Sequence, residues 1–373
     1  MANSNSTTIF ASLKKANPNL ILEEIEIKLG SVTNKSFIIQ AIKNSTMYQG
    51  EVKVNFRINN EGTEQNDNLL IGYWYEWGGT NQQKPELWEI DARYNVIIVS
   101  FLYTDQPYQM PTFVAQNPVN LKKGIKVQHE KGHKVLISMG GQTENSMRFR
   151  QNQKDDLKKA FKSVVNEYEF DGVDIDWEGE CLQDNESKQT TAIALKEIKQ
   201  EWQATKKKEF YITMAPEFPN LCKTSAMSYE IFLTVLAGFY NWIHPQFYNG
   251  WADGVFVDSQ DAKELCLTPG MVISNDNNEL RGEFYYLLIK YITTGQSQYN
   301  NFLQIDADKL VIGASTSEPA GRGAATKAAI NQAFVLLTKN NIMIRGLMTW
   351  AINFDYPLNW TFANWWSLTW GKN

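Results

Sequence analysis

Phe170-Asp171-Gly172-Val173-Asp174-Ile175-Asp176-Trp177-Glu178 sets four carboxylates among Val, Ile and Trp within nine residues. β-branched and aromatic residues favour a strand, and side chains on a strand alternate between its faces. Asp174, Asp176 and Glu178 therefore point one way, and Val173, Ile175 and Trp177 the other. Asp171 is out of phase with this row and belongs at the strand entry. An amphipathic helix pattern precedes the strand, with Leu157, Phe161, Val164, Val165 and Tyr168 on one side of Asp156–Tyr168. The apolar face of the strand is thus fit to pack on helices, which makes it an interior strand. A row of carboxylates is costly to bury, so this row needs a chemical reason.

Outward from that strand, the chain repeats a rhythm of short apolar strand, loop and helix. The strands read as Leu69–Trp74, Asn95–Phe101, His133–Met139, Phe170–Glu178, Glu209–Ala215, Trp242–Tyr248, Lys309–Ala314 and Ile344–Trp350. Helix patterns also cover Ser187–Thr205, Leu280–Ile292 and Ala324–Lys339. Eight strands alternating with helices fit an α/β (β/α)8 barrel, the TIM-barrel architecture, better than an open sheet. An open doubly wound sheet would want a phosphate-binding glycine loop after its first strand, and Gly78-Gly79 is not one. In a barrel, chemistry sits at the C-terminal strand ends. Glu178 closes strand four, and Met214, Gln246, Tyr248 and Trp350 arrive at the same mouth from strands five, six and eight.

The first 67 residues differ. Val52, Val54, Phe56 and Ile58 alternate with polar residues as in a half-buried strand, Ser36–Ile42 is a second candidate, and Asn59–Asn68 is polar and turn-rich. The expected organisation is a small β-rich accessory region with a linker over 1–67 and the barrel over 68–373. A region of this kind can bind substrate, dock a protein partner or cap the main domain.

With net charge −5 and pI near 5.5, the chain lacks the basic balance of a nucleic-acid binder. No apolar stretch of about 18 residues would span a membrane. The N-terminus has neither the basic region nor the apolar run of a signal peptide. The chain is therefore expected to be cytoplasmic, to leave by an unconventional route, or to have lost a leader. Cys181, Cys222 and Cys266 are odd in number and lack CxxC spacing, so neither a disulfide framework nor a zinc site is expected, although a Cys222–Cys266 link stays open. Three histidines without an HExxH pattern argue against metal catalysis. Twelve Trp, 16 Tyr and 19 Phe exceed what a core needs and can serve as platforms for sugar rings.

The pattern Asp-Gly-x-Asp-x-Asp-x-Glu, here Asp171 to Glu178, resembles the signature of glycoside hydrolase family 18, the chitinase family, with five of eight positions fixed. Ser138-Met139-Gly140-Gly141 is similar to its SxGG segment. Gly72-Tyr73-Trp74, Ser100-Phe101, Met214-Ala215-Pro216-Glu217, Gln246-Phe247-Tyr248-Asn249 and Met348–Asp355 resemble further family segments. The likeness covers roughly residues 69–373 and leaves out 1–67. The chain departs at Ala351 and Phe354, where Ser and Trp are commoner, and at Gln246, which stands in a Met-x-Tyr position.

The resemblance implies a retaining, substrate-assisted hydrolysis of chitin or chitooligosaccharides, without metal or cofactor, in which the substrate's acetamido oxygen is the nucleophile. It implies Glu178 as general acid and base, Asp176 as the group holding the acetamido N–H, and Asp174 below it, sharing a proton with Asp176. Tyr248 would donate to the acetamido carbonyl, and Trp350 would form the floor. Tyr73, Phe101, Met214, Gln246, Asn249 and Trp251 complete the expected substrate-binding set. It also implies an extracellular site of action. The interval Ser315–Met343 is too short for the α+β domain that walls a deep tunnel in some members, which suggests an open groove and endo action. Two alternatives stay open on these residues. One is an endo-β-N-acetylglucosaminidase acting on N-glycans, and the other is a non-catalytic chitinase-like lectin or inhibitor.

Overall fold

The computed structural model describes residues 17, 19–28, 36–55, 68–78, 83–142, 146–206, 208–249 and 254–370. Contacts divide the chain into two compact units, Met1–Asp67 and Asn68–Asn373. In the first, β1 (Ile25–Ile27), β2 (Ser36–Ala41) and β3 (Glu51–Asn55) form an antiparallel sheet in that order. Its small core is Ile25 and Ile39, with Leu20, Leu22, Tyr48 and Val54 packed against them. Both strands read from sequence are present, but β1 is additional. Of the alternating valines only Val54 packs inward; Val52 is 60% exposed. Phe56, Ile58 and most of the polar linker lie outside the described residues.

The second unit holds eight parallel strands: β4 (Leu69–Tyr75), β5 (Val96–Leu102), β6 (Lys134–Gly140), β7 (Gly172–Asp176), β8 (Tyr211–Met214), β9 (Trp242–Ile243), β12 (Val311–Ser315) and β13 (Gly346–Trp350). The sheet order runs β12-β13-β4-β5-β6-β7-β8-β9. Parallel bridges Ile243–Leu310 and Gln246–Gly313 bring β9 to β12 and close the ring. At Gly313 a side chain would meet the Pro245 carbonyl oxygen at 2.2 Å, so closure needs glycine there. The fold is a (β/α)8 TIM barrel.

Helices fill the crossovers. They are α1 (Pro118–Glu130), α2 (Lys154–Tyr168), α3 (Asn185–Lys206), α4 (Glu230–Val235), α5 (Ser259–Leu265), α6 (Arg281–Thr294) and α7 (Lys327–Lys339), followed by α8 (Ile352–Asp355) and α9 (Thr361–Thr369). Local chemistry sets their ends. The Asn117 side chain accepts from Asn120 N with Pro118 in the first turn, Thr326 accepts from Ala329 N, and Gly295 at φ 63° terminates α6. Between β12 and β13 the chain forms only a loop and α7. Between β9 and β12 it forms a hairpin of β10 (Gly254–Phe256) and β11 (Val272–Ser274), which the sequence pattern did not signal, together with α5 and α6.

Strand alternation divides the core into two layers. On β7, Val173 and Ile175 join Phe161, Leu195 and Ile198 in the layer beneath the helices. Each such buried side chain contributes about 1.5–3 kcal/mol. Residues of opposite phase, such as Tyr73, Tyr211, Tyr248 and Met348, fill the barrel interior.

Candidate active site

β7 places its carboxylates at successive depths. Asp171 lies before its first residue, where Asp171 Oδ2 accepts from Val135 N at 2.8 Å and meets His129 Nε2 at 2.9 Å. That carboxylate ties β7 to β6 and α1 and belongs to the far end of the barrel. Asp174 and Asp176 face inward and are buried, and Glu178 follows in extended conformation two residues on. Trp177 holds the rim in place. Its ring is fully buried against Phe232 and Phe149, and its carbonyl accepts from Tyr229 Oη at 2.7 Å.

Gly140 and Gly141 of the neighbouring strand make the approach to this rim. Gly141 N donates to the Asp176 carbonyl at 2.7 Å. At Gly140, φ is 112° and a side chain would lie 2.2 Å from that same carbonyl oxygen. Only glycine serves there.

Both oxygens of Asp174 are filled by donors from four other strands or strand ends. Tyr73 Oη donates to Oδ2 at 2.6 Å and Ser138 Oγ at 2.7 Å, while Thr213 Oγ1 donates to Oδ1 at 2.6 Å. His244 Nε2 lies 3.2 Å from Oδ1. Burial works to raise the Asp174 carboxyl, yet the His244 imidazole and the bonds from His244, Thr213 and Tyr73 hold it below its ordinary value.

The next pair behaves oppositely. Burial, then the charges of Glu178 and Asp174, push Asp176 well above the ordinary carboxylate range. Burial is also the main cause that raises Glu178 to about 7. Gln246 offsets this, because its Nε2 donates to Asp176 Oδ1 and to Glu178 Oε1, each at 2.9 Å. Asp176 also hydrogen-bonds Glu178. The expectation that Asp174 and Asp176 share a proton therefore gives way. Asp174 is saturated with donors and held low, whereas the two carboxyls above it are both raised.

An aromatic floor lies beside the pair. Trp350 stacks on Phe101 at 5.9 Å and on Tyr75 at 5.6 Å, and Trp77 stacks on Tyr75 at 4.3 Å. Trp77 is 42% exposed and extends the floor toward solvent. Tyr248, buried at the end of strand six, has its hydroxyl pushed above its ordinary value by burial and by Asp176, Glu178 and Glu217, so it stays a donor.

Three expected substrate contacts are placed elsewhere. Met214 is fully buried in the helix-side layer, because strand phase turns Thr213 and Ala215 inward and Met214 outward. Tyr73 is buried with its hydroxyl bound to Asp174, so it supports the site from below. Asn249, at φ 60°, spends its Oδ1 on Arg322 N at 2.9 Å and pins strand six to the loop after β12. Trp251 lies outside the described residues. Cys222 and Cys266 are not joined by a disulfide.

His244, Thr213, Glu217 and Trp77 were missed as site residues. Strand phase could have found His244, since it stands two residues before Gln246 and four before Tyr248 on the inward face.

Comparison with known proteins adds the following. The family model described as Glycosyl hydrolases family 18 matches residues 69–324. A protein named Chitinase from Enterococcus faecalis is 32% identical over 299 residues, covering 77% of this chain and 81% of that one. The crystal structure of a family 18 chitinase from Chromobacterium violaceum superposes with TM-score 0.66 at 20% identity, covering 86% of this chain and 88% of that one. A family 18 chitinase structure from Pseudoalteromonas aurantia gives 0.56 at 21% identity, covering 81% and 99%.

Proposed function

The chain belongs to glycoside hydrolase family 18, and on that premise we propose that it is a chitinase that cleaves β-1,4 links between N-acetylglucosamine units inside a chain, with Glu178 as acid and base. The observation that carries this reading is the buried Asp176–Glu178 pair, bridged by Gln246 at the barrel end that also carries a stacked aromatic floor. A carboxyl raised to about 7 is half protonated at neutral pH. It can give a proton to the leaving oxygen and take one back from water.

The pair's single proton assigns the roles. When it sits on Glu178, Asp176 is an anion and accepts the acetamido N–H of the bound sugar, which aligns the acetamido oxygen on the anomeric carbon. Glu178 protonates the glycosidic oxygen as that bond breaks, and the acetamido oxygen bonds to the anomeric carbon to give an oxazolinium ion. Water, losing a proton to Glu178, opens the ring with net retention. Tyr248 steadies the acetamido carbonyl as a hydroxyl donor. Trp350, Phe101 and the more exposed Trp77 form the surface on which sugar rings lie. The simple crossover between β12 and β13 supports an open groove and internal cleavage. A polymeric substrate of this kind supports a site of action outside the cell.

The test is product analysis on chitohexaose beside a high-mannose glycopeptide, with wild type and Glu178→Gln. Short oligomers from chitohexaose, lost by at least ~1,000-fold in the mutant, are expected. Early products of mixed length report internal cleavage, whereas disaccharide alone overturns it. Cleavage of the glycopeptide only moves the function to N-glycan release. Sugar binding without cleavage of either identifies a lectin.

A further inference from the structure

His244 is fully buried at the end of β9, beneath the catalytic pair, and nothing in the proposed reaction uses it directly. Its ring packs edge-on against Tyr73 at 5.9 Å. Nε2 lies 3.1 Å from Tyr73 Oη and 3.2 Å from Asp174 Oδ1. Nδ1 has no hydrogen-bond partner among the described residues.

Hydrogen counting fixes the arrangement. Tyr73 has one hydroxyl hydrogen and spends it on Asp174 Oδ2 at 2.6 Å. Its oxygen can then only accept from His244. The second neighbour of Nε2 is a carboxylate oxygen, which also accepts. A bare Nε2 would face two acceptors with no hydrogen between them, so Nε2 carries the hydrogen.

We infer that His244 is a positioning residue that, through its Nε2–H, completes the donor shell of Asp174, fixes it as an anion and so confines the mobile proton of the carboxylate row to Asp176 and Glu178. Without that donor, Asp174 regains a lone pair free to hold a proton, and the row has three places for the proton instead of two. The inference rests on the proposed roles of Asp176 and Glu178. The titratable groups around this shell are Tyr73 on β4, Asp174 and Asp176 on β7, Glu178 beyond it, Glu217 after β8, Tyr229 at the start of α4 and Tyr248 after β9. β12 and β13 present Gly313 and Met348 to the same stretch, neither titratable.

The sign of the effect follows. The Asp174 anion raises the pKa of Asp176, so a protonated Asp174 lets the pair lose its proton at lower pH. His244→Leu is expected to lower kcat on chitohexaose about tenfold at neutral pH, to leave KM within about twofold, and to move the alkaline limb of kcat to lower pH. His244→Gln, which returns an N–H near the Nε2 position, is expected to restore both kcat and the limb. In the wild-type protein, whose His content is three residues, the imidazole 15N resonances of His244 are expected to show a protonated Nε2. A wild-type pH profile in the Leu variant overturns the inference, as does a Gln variant no better than Leu. A bare Nε2 overturns it even if the Leu variant fails to fold. If wild type turns over no oligosaccharide, the catalytic reading fails while the Nε2 result still stands.

Discussion

At one end of β7, Asp171 is a half-exposed carboxylate that accepts from a backbone N–H at 2.8 Å and from His129. At the other end, Asp176 and Glu178 are buried against each other with one amide, Gln246, between them. The same kind of side chain meets donors below and like charge above. The lower end is satisfied by its donors, and it ties β7 to β6 and α1. The upper end is unsatisfied in any single state, which is why a proton can be moved there at small cost. Barrels in general separate stability at the N-terminal face from chemistry at the C-terminal face, and here the division runs through one strand five residues long.

Three substitutions probe that contrast. The largest effect is expected at the upper end. Asp176→Asn keeps shape but carries no charge and cannot take up a proton from Glu178, so kcat should fall by about 1,000-fold or more, roughly 4 kcal/mol in the barrier. Steady-state kinetics on chitohexaose measure it, and a loss under tenfold would remove Asp176 from the chemistry.

Next is the stability cost of the same end. Glu178 has a folded-state value of about 7 against an ordinary 4.5. The folded protein thus holds this proton more tightly than the unfolded chain does. Stability from the group is greatest in acid and is lost as pH rises through 4.5 to about 7. Glu178→Gln has no charge to bury, so it should gain on wild type over that window, by up to about 3 kcal/mol above neutral pH. Urea midpoints at acid and alkaline pH report the difference. A constant gap across pH would show that Glu178 ionises no differently in the folded state.

The smallest effect belongs to the lower end, where Asp171→Ala should cost about 1–3 kcal/mol in folding stability and leave kcat within about twofold. A kcat loss as large as that of Asp176→Asn would break the contrast between the two ends.

Much of this was legible in the chain, for local reasons. Eight apolar runs separated by helical patterns are enough for the barrel. Period-two alternation put Val173 and Ile175 under the helices and Asp174 and Asp176 inside, because side-chain phase on a strand is a property of the backbone alone. The same rule, applied to β8, would have turned Met214 outward, and applied to β9 would have singled out His244. The hairpin of β10 and β11 was harder to see, since three-residue strands carry too little pattern.

What the chain alone determined is therefore which residues face the barrel and at what depth. Only the tertiary structure decided which groups surround each carboxylate and so which way its ionisation shifts. Asp174 is saturated by Tyr73, 101 residues away, and by His244, Ser138 and Thr213 on other strands. Asp176 and Glu178 are bridged by Gln246 from two strands away. Ionisation depends on burial and on charges brought close in space, and neither is encoded in the spacing of residues along one strand.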